Sequence, residues 1–465
     1  MKKIVSLLLA AILMIGMMST LAGCNNGSKV AADFVMPEGG FDTTKPVTIV
    51  FYHQMGAQLQ EILNTAIEDF NKIYPNITVE HKTYGDYNGV RDQIKTEISV
   101  GDQPNMAYCY PDHVALYNVA GAVQTLDILI NDPTYGFTAE QIADFIPAYY
   151  NEGKAFGDGK MYTLPISKST EVLYYNKTFF DKWGLEVPTT WDEMEAVCRQ
   201  IKAIDPNCIP LGYDSESNWF ITMCEQYGSE YTSLEGENFR FDNETNRNFV
   251  KKFQEWYYQM LVTTEELSGG YTSALFTGEN DAGTRCYMCI GSTGGATYQQ
   301  PNQTNGVFEF EVGITSIPQV NPAAPKVISQ GPSICIFKNN DPQEVLATWL
   351  FAKFLTTDVT FQASVSMNNG YAPVIQSVKE NEVYANFLAS YSTTNIQAYA
   401  VKVALEQADA YYVSPAFNGS SVARDQVGLL MQKCMALNLT GSSLDAAIKS
   451  AFEEAVSECK YQSGQ

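Results

Sequence analysis

Residues suited to holding a small polar ligand gather in a few short stretches. Ser167-Lys168-Ser169-Thr170 supplies hydroxyls and one ammonium just after Pro165. Proline forces the residue before it into extended geometry, so 164–168 reads as chain crossing between strands. Gly291-Ser292-Thr293-Gly294-Gly295 follows an apolar run and precedes a helix expected to start at Ala296. Backbone N–H groups at such a start favour an anion or a hydroxyl-rich ligand. Lys168 and Arg424 stand in polar turns of a chain poor in cations, and a guanidinium matches phosphate or carboxylate bidentately. Each also has a plainer fate: a strand-to-helix turn for the glycines, a surface ion pair for the cations.

Aromatics in polar turns (Tyr84, Tyr87, Trp219 and Tyr371) could stack on a sugar ring, with Trp219 the best placed. Most of the 28 tyrosines must simply pack. The sequence lacks G-x-x-x-x-G-K-[ST] and G-x-S-x-G, which removes support for phosphoryl transfer and acyl hydrolysis. His53, His81 and His113 form no i, i+4 metal pair, and no EF-hand loop is present, so neither metal nor cofactor is expected. Cys286 and Cys289 make a C-x-x-C, but 285–290 reads as a strand, on which residues three apart face opposite ways. Packing thiols are the better reading of them. With 52 acidic residues, a carboxylate pair for glycoside hydrolysis stays open as a rival, although no stretch singles one out.

The elements that must carry these residues alternate. Strand 47–53 is followed by helix 58–74, strand 77–81, helix 87–100 and strand 106–110. Such alternation with short connections implies βαβ units and a parallel sheet covered by helices. Ligands of such sheets sit beyond the carboxyl ends of the strands, which points to His53-Gln54, 84–87 and 110–113. Further on, helices are expected at 144–151, 191–203, 220–227, 244–260 and 343–355. Strands are expected at 170–175, 285–290, 310–317 and 327–337, the last interrupted at Gln330-Gly331-Pro332. The final hundred residues read as mostly helical.

The chain has 465 residues, enough for two domains, and a net charge of −23, which argues against nucleic acid or an anionic membrane surface as partner. Lys2-Lys3, an apolar run over 4–18 and the small residues before Cys24 describe a secretory leader, too short to span a membrane. Leu21-Ala22-Gly23-Cys24 resembles the bacterial lipobox, which would make Cys24 the lipidated first residue of the mature chain. The remaining nine cysteines are odd in number and irregularly spaced, unlike a disulfide scaffold.

The run GKMYTLPISKSTEVLYYNK at 159–177, closing on LYYNK, resembles the middle of extracellular solute-binding proteins of ABC importers (family 1, the sugar- and glycerol-3-phosphate-binding type). The resemblance extends over most of the chain after the leader. It implies an α/β fold of two lobes, the type II periplasmic-binding-protein arrangement, each lobe a sheet flanked by helices and joined by hinge crossovers. The expected division is a signal peptide at 1–23, a tether at 24–44, lobe one at 45–160 and 327–378, and lobe two at 161–326 and 379–459. By motif, the family's ligand residues fall on Tyr87 of YGDYNG, Asp112 of YPDH, Ser169 of SKST, Ser292 of GSTGG, Gly331 of SQGPS, Tyr371 of NNGYAP, and Arg424. Lys168 and Trp219 complete the candidate set. Two departures bear on specificity: Asp112 is shorter than the family's glutamate, and Lys168 replaces a neutral polar residue, favouring an anion. The implied function is capture of a carbohydrate or polyol phosphate, glycerol 3-phosphate or a glycerophosphodiester foremost, by a lipid-anchored monomer. That monomer would face the extracellular or periplasmic side, deliver the solute to a membrane permease and catalyse nothing. An oligosaccharide ligand is the alternative, and a surface glycan hydrolase the rival class.

Overall fold

The computed structural model describes residues 31–279 and 283–465; the leader, Cys24 and the first tether residues lie outside them. Two main sheets are built from β1 (Val47–His53), β2 (Ile77–Thr83), β3 (Met106–Cys109), β4 (Leu164–Pro165), β5 (Ser169–Asn176), β6 (Leu211–Tyr213), β7 (Val262–Thr264), β8 (Met288–Ser292), β9 (Val312–Ser316), β10 (Val327–Gln330), β11 (Ser333–Ile336) and β12 (Tyr411–Tyr412).

The first sheet has 5 strands in the order β2-β1-β3-β11-β4. β1 runs parallel to β2 and β3, while β11 enters antiparallel between β3 and β4. The parallel part follows from the helices that return the chain over the sheet. Helix Ala57–Ile73 buries Leu63, Ala66 and Phe70, spaced three and four apart, against the sheet and the helix Pro342–Thr357. The opposite face of the sheet is covered by helix Tyr87–Ile98 through Val90, Ile94 and Ile98.

The second sheet has 7 strands, ordered β12-β10-β5-β8-β6-β7, with β9 also pairing with β5. β5 is its spine. β8 lies antiparallel along one edge, and the other edge is shared by β10 at the start of β5 and β9 at its end. β5 is buried along almost its whole length, as a central strand covered on both faces must be. One face packs on helices Trp191–Ile204, Glu216–Tyr227, Glu244–Tyr258 and Ser420–Met435. Helix Ile396–Glu406 straddles the two lobes: Val401 and Ala404 join the core of the first, Ile396, Ala400 and Val403 that of the second.

The chain changes sheets at 166–168, between β4 and β5, and again at Gly331-Pro332, between β10 and β11. The expected boundaries at 160/161 and 326/327 therefore fall a few residues early, because the 327–337 apolar run is not one strand with a flaw. It is two strands in two sheets. The boundary at 378/379 is also early, since Tyr384 still packs in the first lobe. The first changeover meets a third segment, for the Lys168 N–H donates to the Ala372 carbonyl at 3.0 Å and the Ala372 N–H returns to the Lys168 carbonyl at 2.6 Å. Gly331 is fixed by this crossing. Its φ is +88°, and a Cβ there would meet the Ser167 carbonyl at 2.6 Å and the Lys168 Cα at 2.8 Å.

Smaller differences from the sequence reading have local causes. The helix at 216–227 begins four residues before Phe220, because Ser215 caps it by accepting from the Asn218 N–H. The residues at 285–287 precede β8 rather than belonging to it. No α-helix starts at Ala296: a 3₁₀ segment, Thr293–Gln299, follows Ser292 directly. All nine described cysteines are buried and free, and the described residues contain no cluster of three or more potential metal ligands. No described helix is long and apolar enough to cross a membrane.

Candidate functional site

The two lobes close on a cavity of about 60 Å³, lined among others by Tyr110, Asp112 and Glu152 from the first lobe and Ser329, Ser414 and Arg424 from the second. Its floor lies beside the crossing described above.

On the first lobe, β3 runs out into Tyr110, which caps helix Pro111–Asn118; Pro111 sits in the first turn, where its missing N–H costs nothing. That turn sets Asp112 at the cavity. Its Oδ1 accepts from the His113 N–H at 3.1 Å, while its Oδ2 is buried without a hydrogen-bond partner. An unsatisfied buried carboxylate oxygen costs stability, so it marks a place where a donor belongs. Next to it, burial pushes the His113 imidazole down to about 4, so that ring is neutral at pH 7.

Tyr87 opens helix Tyr87–Ile98, whose N-cap Asp86 accepts from the Gly89 N–H. Its ring lies 4.7 Å from that of Tyr110, and its hydroxyl is 3.4 Å from the Tyr371 hydroxyl. Burial raises all three phenols, which keeps them neutral and able to donate. Tyr371 meets the second lobe face on: a Cβ on Gly294 would stand 2.8 Å from its ring. Ser292 is tied to the same turn, its Oγ accepting from the Gly294 N–H at 3.1 Å.

On the second lobe, Arg424 lies in the first half of helix Ser420–Met435 and is partly buried. Its guanidinium donates to the Asn218 carbonyl oxygen. Among the described residues no carboxylate forms an ion pair with it. One residue on, Asp425 reaches across the cleft to Arg91 at 3.2 Å, and Arg91 also donates to the Ser421 hydroxyl at 3.2 Å. Arg91 stands four residues after Tyr87, on the same face of its helix. The i, i+4 spacing from Tyr87 is the signal in the sequence that marks Arg91.

Asp112 and Arg424 thus meet at one cavity, and Tyr87 and Tyr371 flank it through Tyr110. Ser169 and Gly331 lie at the crossing; Ser169 is buried and pairs in register with Gln330.

Two of the sequence candidates are placed otherwise. Lys168 is 0% exposed, its ammonium donating to the Glu152 carboxylate at 2.6 Å and to the Gly331 carbonyl at 3.1 Å. Its charge is consumed inside the protein, because an ammonium at this depth must be paired. The same Glu152 accepts from the Ser329 hydroxyl at 3.2 Å. No sequence pattern announced Glu152, which is distant in chain from both partners at the crossing. Trp219 is 0% exposed as well: its ring stacks on Tyr213 at 4.8 Å and lies 3.9 Å from Phe253. It is core, carried inward by the helix that replaced the expected turn.

Two α/β lobes linked by crossovers, with the first sheet ordered β2-β1-β3-β11-β4 and a cavity between the lobes that mixes apolar walls with charged and hydroxyl side chains, define a type II solute-binding protein. Residues 65–389 match the bacterial extracellular solute-binding protein family, and the chain belongs to that family, the solute-binding components of ABC importers. It is 22% identical over 346 residues to the sn-glycerol-3-phosphate-binding periplasmic protein UgpB of Salmonella typhimurium, covering 72% of this chain and 75% of that protein. Solved structures share the fold. UgpB of Mycobacterium tuberculosis in complex with glycerophosphocholine superposes with a TM-score of 0.69 at 16% identity, over 88% of this chain and 98% of that one. An ABC substrate-binding protein of Listeria monocytogenes in complex with cycloalternan gives 0.69 at 17% identity, over 90% and 100%.

Proposed function

We propose that this chain captures a small solute bearing both hydroxyls and an anionic group, glycerol 3-phosphate or a glycerophosphodiester foremost, and hands it to a membrane permease. The observation that carries this reading is the pairing across one cavity of Asp112, with an unpartnered carboxylate oxygen, and Arg424, which among the described residues forms no ion pair and donates to the Asn218 amide. The first accepts from a hydroxyl; the second takes a phosphate. Tyr87, Ser169, Ser292, Gly331 and Tyr371 complete the binding set by family resemblance. An oligosaccharide is the second reading, favoured by the tyrosines at 87, 110 and 371 that could lie against sugar rings.

No chemical step follows binding. Glycoside hydrolysis needs two carboxylates free to act on one bond. Glu152, the second acid at the cavity, has both oxygens engaged, by Lys168 and by Ser329. Lipidation of Cys24, which the lipobox resemblance implies, holds the chain at the outer face of the membrane, and more than one acyl chain is required because a single one anchors only marginally.

A thermal-shift series tests the ligand. The mature soluble chain is heated with glycerol 3-phosphate, glycerophosphocholine, maltose, longer oligosaccharides or free phosphate. A ligand at a hundred times its Kd stabilises by about 2.7 kcal/mol, which moves the midpoint visibly. A shift with the phosphate esters alone supports the Asp112–Arg424 reading; a shift with sugars alone replaces it by the oligosaccharide reading.

A further inference from the structure

Glu171 is an acid that the cleft itself does not use. It is the third residue of β5, opposite Ser292 on β8, and is 2% exposed. The Tyr213 phenol donates to its Oε2 at 2.5 Å, and the Asn218 amide nitrogen donates to its Oε1 at 2.9 Å. Asn218 is itself 3% exposed. A carboxylate accepts only, so Asn218 must turn its NH₂ inward to Glu171 and its carbonyl outward. That outward carbonyl is the group to which Arg424 donates.

The order of the groups matters. A guanidinium carries five N–H donors in a rigid fork. A carboxylate placed directly against Arg424 would neutralise it and compete with any anionic solute. An amide interposed between acid and guanidinium fixes the direction of the fork and leaves its charge available. Burial drives the Glu171 carboxyl up to about 7, opposed by its bonds to Tyr213 and Asn218 and by the charge of Arg424; Asp214 and Tyr412 also face it.

We propose that Glu171 and Asn218 are positioning residues that hold the Arg424 guanidinium at the cleft wall with its free N–H groups turned toward the anionic group of the solute. This inference rests on the anion-binding reading given above. Neither residue touches the solute, and both act through Arg424.

The chain has six arginines, so their side-chain ¹⁵N–H signals can be resolved after selective labelling, with R424K assigning the one of interest. In Asn218→Ala the Arg424 guanidinium protons should exchange with solvent about tenfold faster, the effect of losing one charge-assisted hydrogen bond. The other five signals should stay in place. Glu171→Gln keeps the size of the side chain and its bond to Tyr213, and should move the same signal in the same direction by less. The Kd for glycerophosphocholine should rise in step with the exchange rate. An Arg424 signal unchanged in both folded variants overturns the proposal. Should the wild-type chain bind neither phosphate ester, the solute assignment falls, and the exchange measurement still decides the positioning role.

Discussion

Gly331 crosses directly over Lys168: a Cβ on the glycine would stand 2.8 Å from the lysine Cα, and the lysine ammonium donates to the glycine carbonyl at 3.1 Å. Two of the chain segments that join the lobes are therefore in contact where they cross. They cannot shift independently.

Gly331→Ala should cost about 1–3 kcal/mol, since the left-handed φ and the contact with Ser167 and Lys168 both oppose a side chain. Urea unfolding reads this as a lower midpoint at unchanged slope. A midpoint within error of wild type would mean that the crossing can relax.

Lys168→Met leaves Glu152 buried and uncompensated, and should destabilise by roughly 3–5 kcal/mol. The double variant Lys168→Met/Glu152→Leu should recover most of that loss and still bind the wild-type ligand. If stability returns but binding does not, the pair has a role in the cleft beyond the fold.

His113 carries a depressed pKa, about 4 in the folded chain against 6.5 for an unperturbed imidazole. The unfolded chain then binds one more proton between those values. Its contribution to stability is complete above pH 6.5 and is lost as pH falls toward 4, at up to about 1.4 kcal/mol per pH unit. Glu171 acts the other way: raised from 4.5 to about 7, it contributes stability below pH 4.5 that is lost as pH rises through 7. Denaturation from pH 4 to 8 should show a shallower acid-side decline in His113→Gln and a steeper one in Glu171→Gln. Parallel curves for all three proteins would contradict both assignments.

Arg91→Ala removes the bridge from lobe one to Asp425 and Ser421. Arg91 is 13% exposed and Asp425 46%, so the solvent-screened loss should be worth about 1 kcal/mol. That is enough to shift the balance of open and closed forms a few-fold. Small-angle scattering of the ligand-free variant should report a larger radius of gyration, and the Kd should rise by a similar factor.

Much of the architecture was legible because it rests on local chemistry. The spacing of Leu63, Ala66 and Phe70 announces a helix face, and Thr190 with Glu193 forms the capping box that starts helix Trp191–Ile204. Motif resemblance points to Asp112 and Arg424, and the rule that ligands gather beyond strand ends points separately to 110–113. What stayed hidden depends on contacts between distant segments. Lys168 reads as a free cation until Glu152, sixteen residues away, is seen against it. Trp219 reads as a turn aromatic until the helix from Glu216 carries it against Tyr213 and Phe253. Glu171 looks like one acid among 52, and nothing in β5 predicts that Asn218 will link it to a guanidinium on a helix some 250 residues later.

The nine thiols also bear on the chain's manufacture. In the folded protein each is buried, shielded from oxidants and from exchange partners. The thiols are reachable only before the cores form. A chain that folds slowly in an oxidising compartment would be trapped by wrong pairings, with an odd cysteine always left over. Recombinant yield should therefore be higher from a reducing cytoplasm than from a secretion route rich in disulfide catalysts, and added thiol during refolding should raise it further.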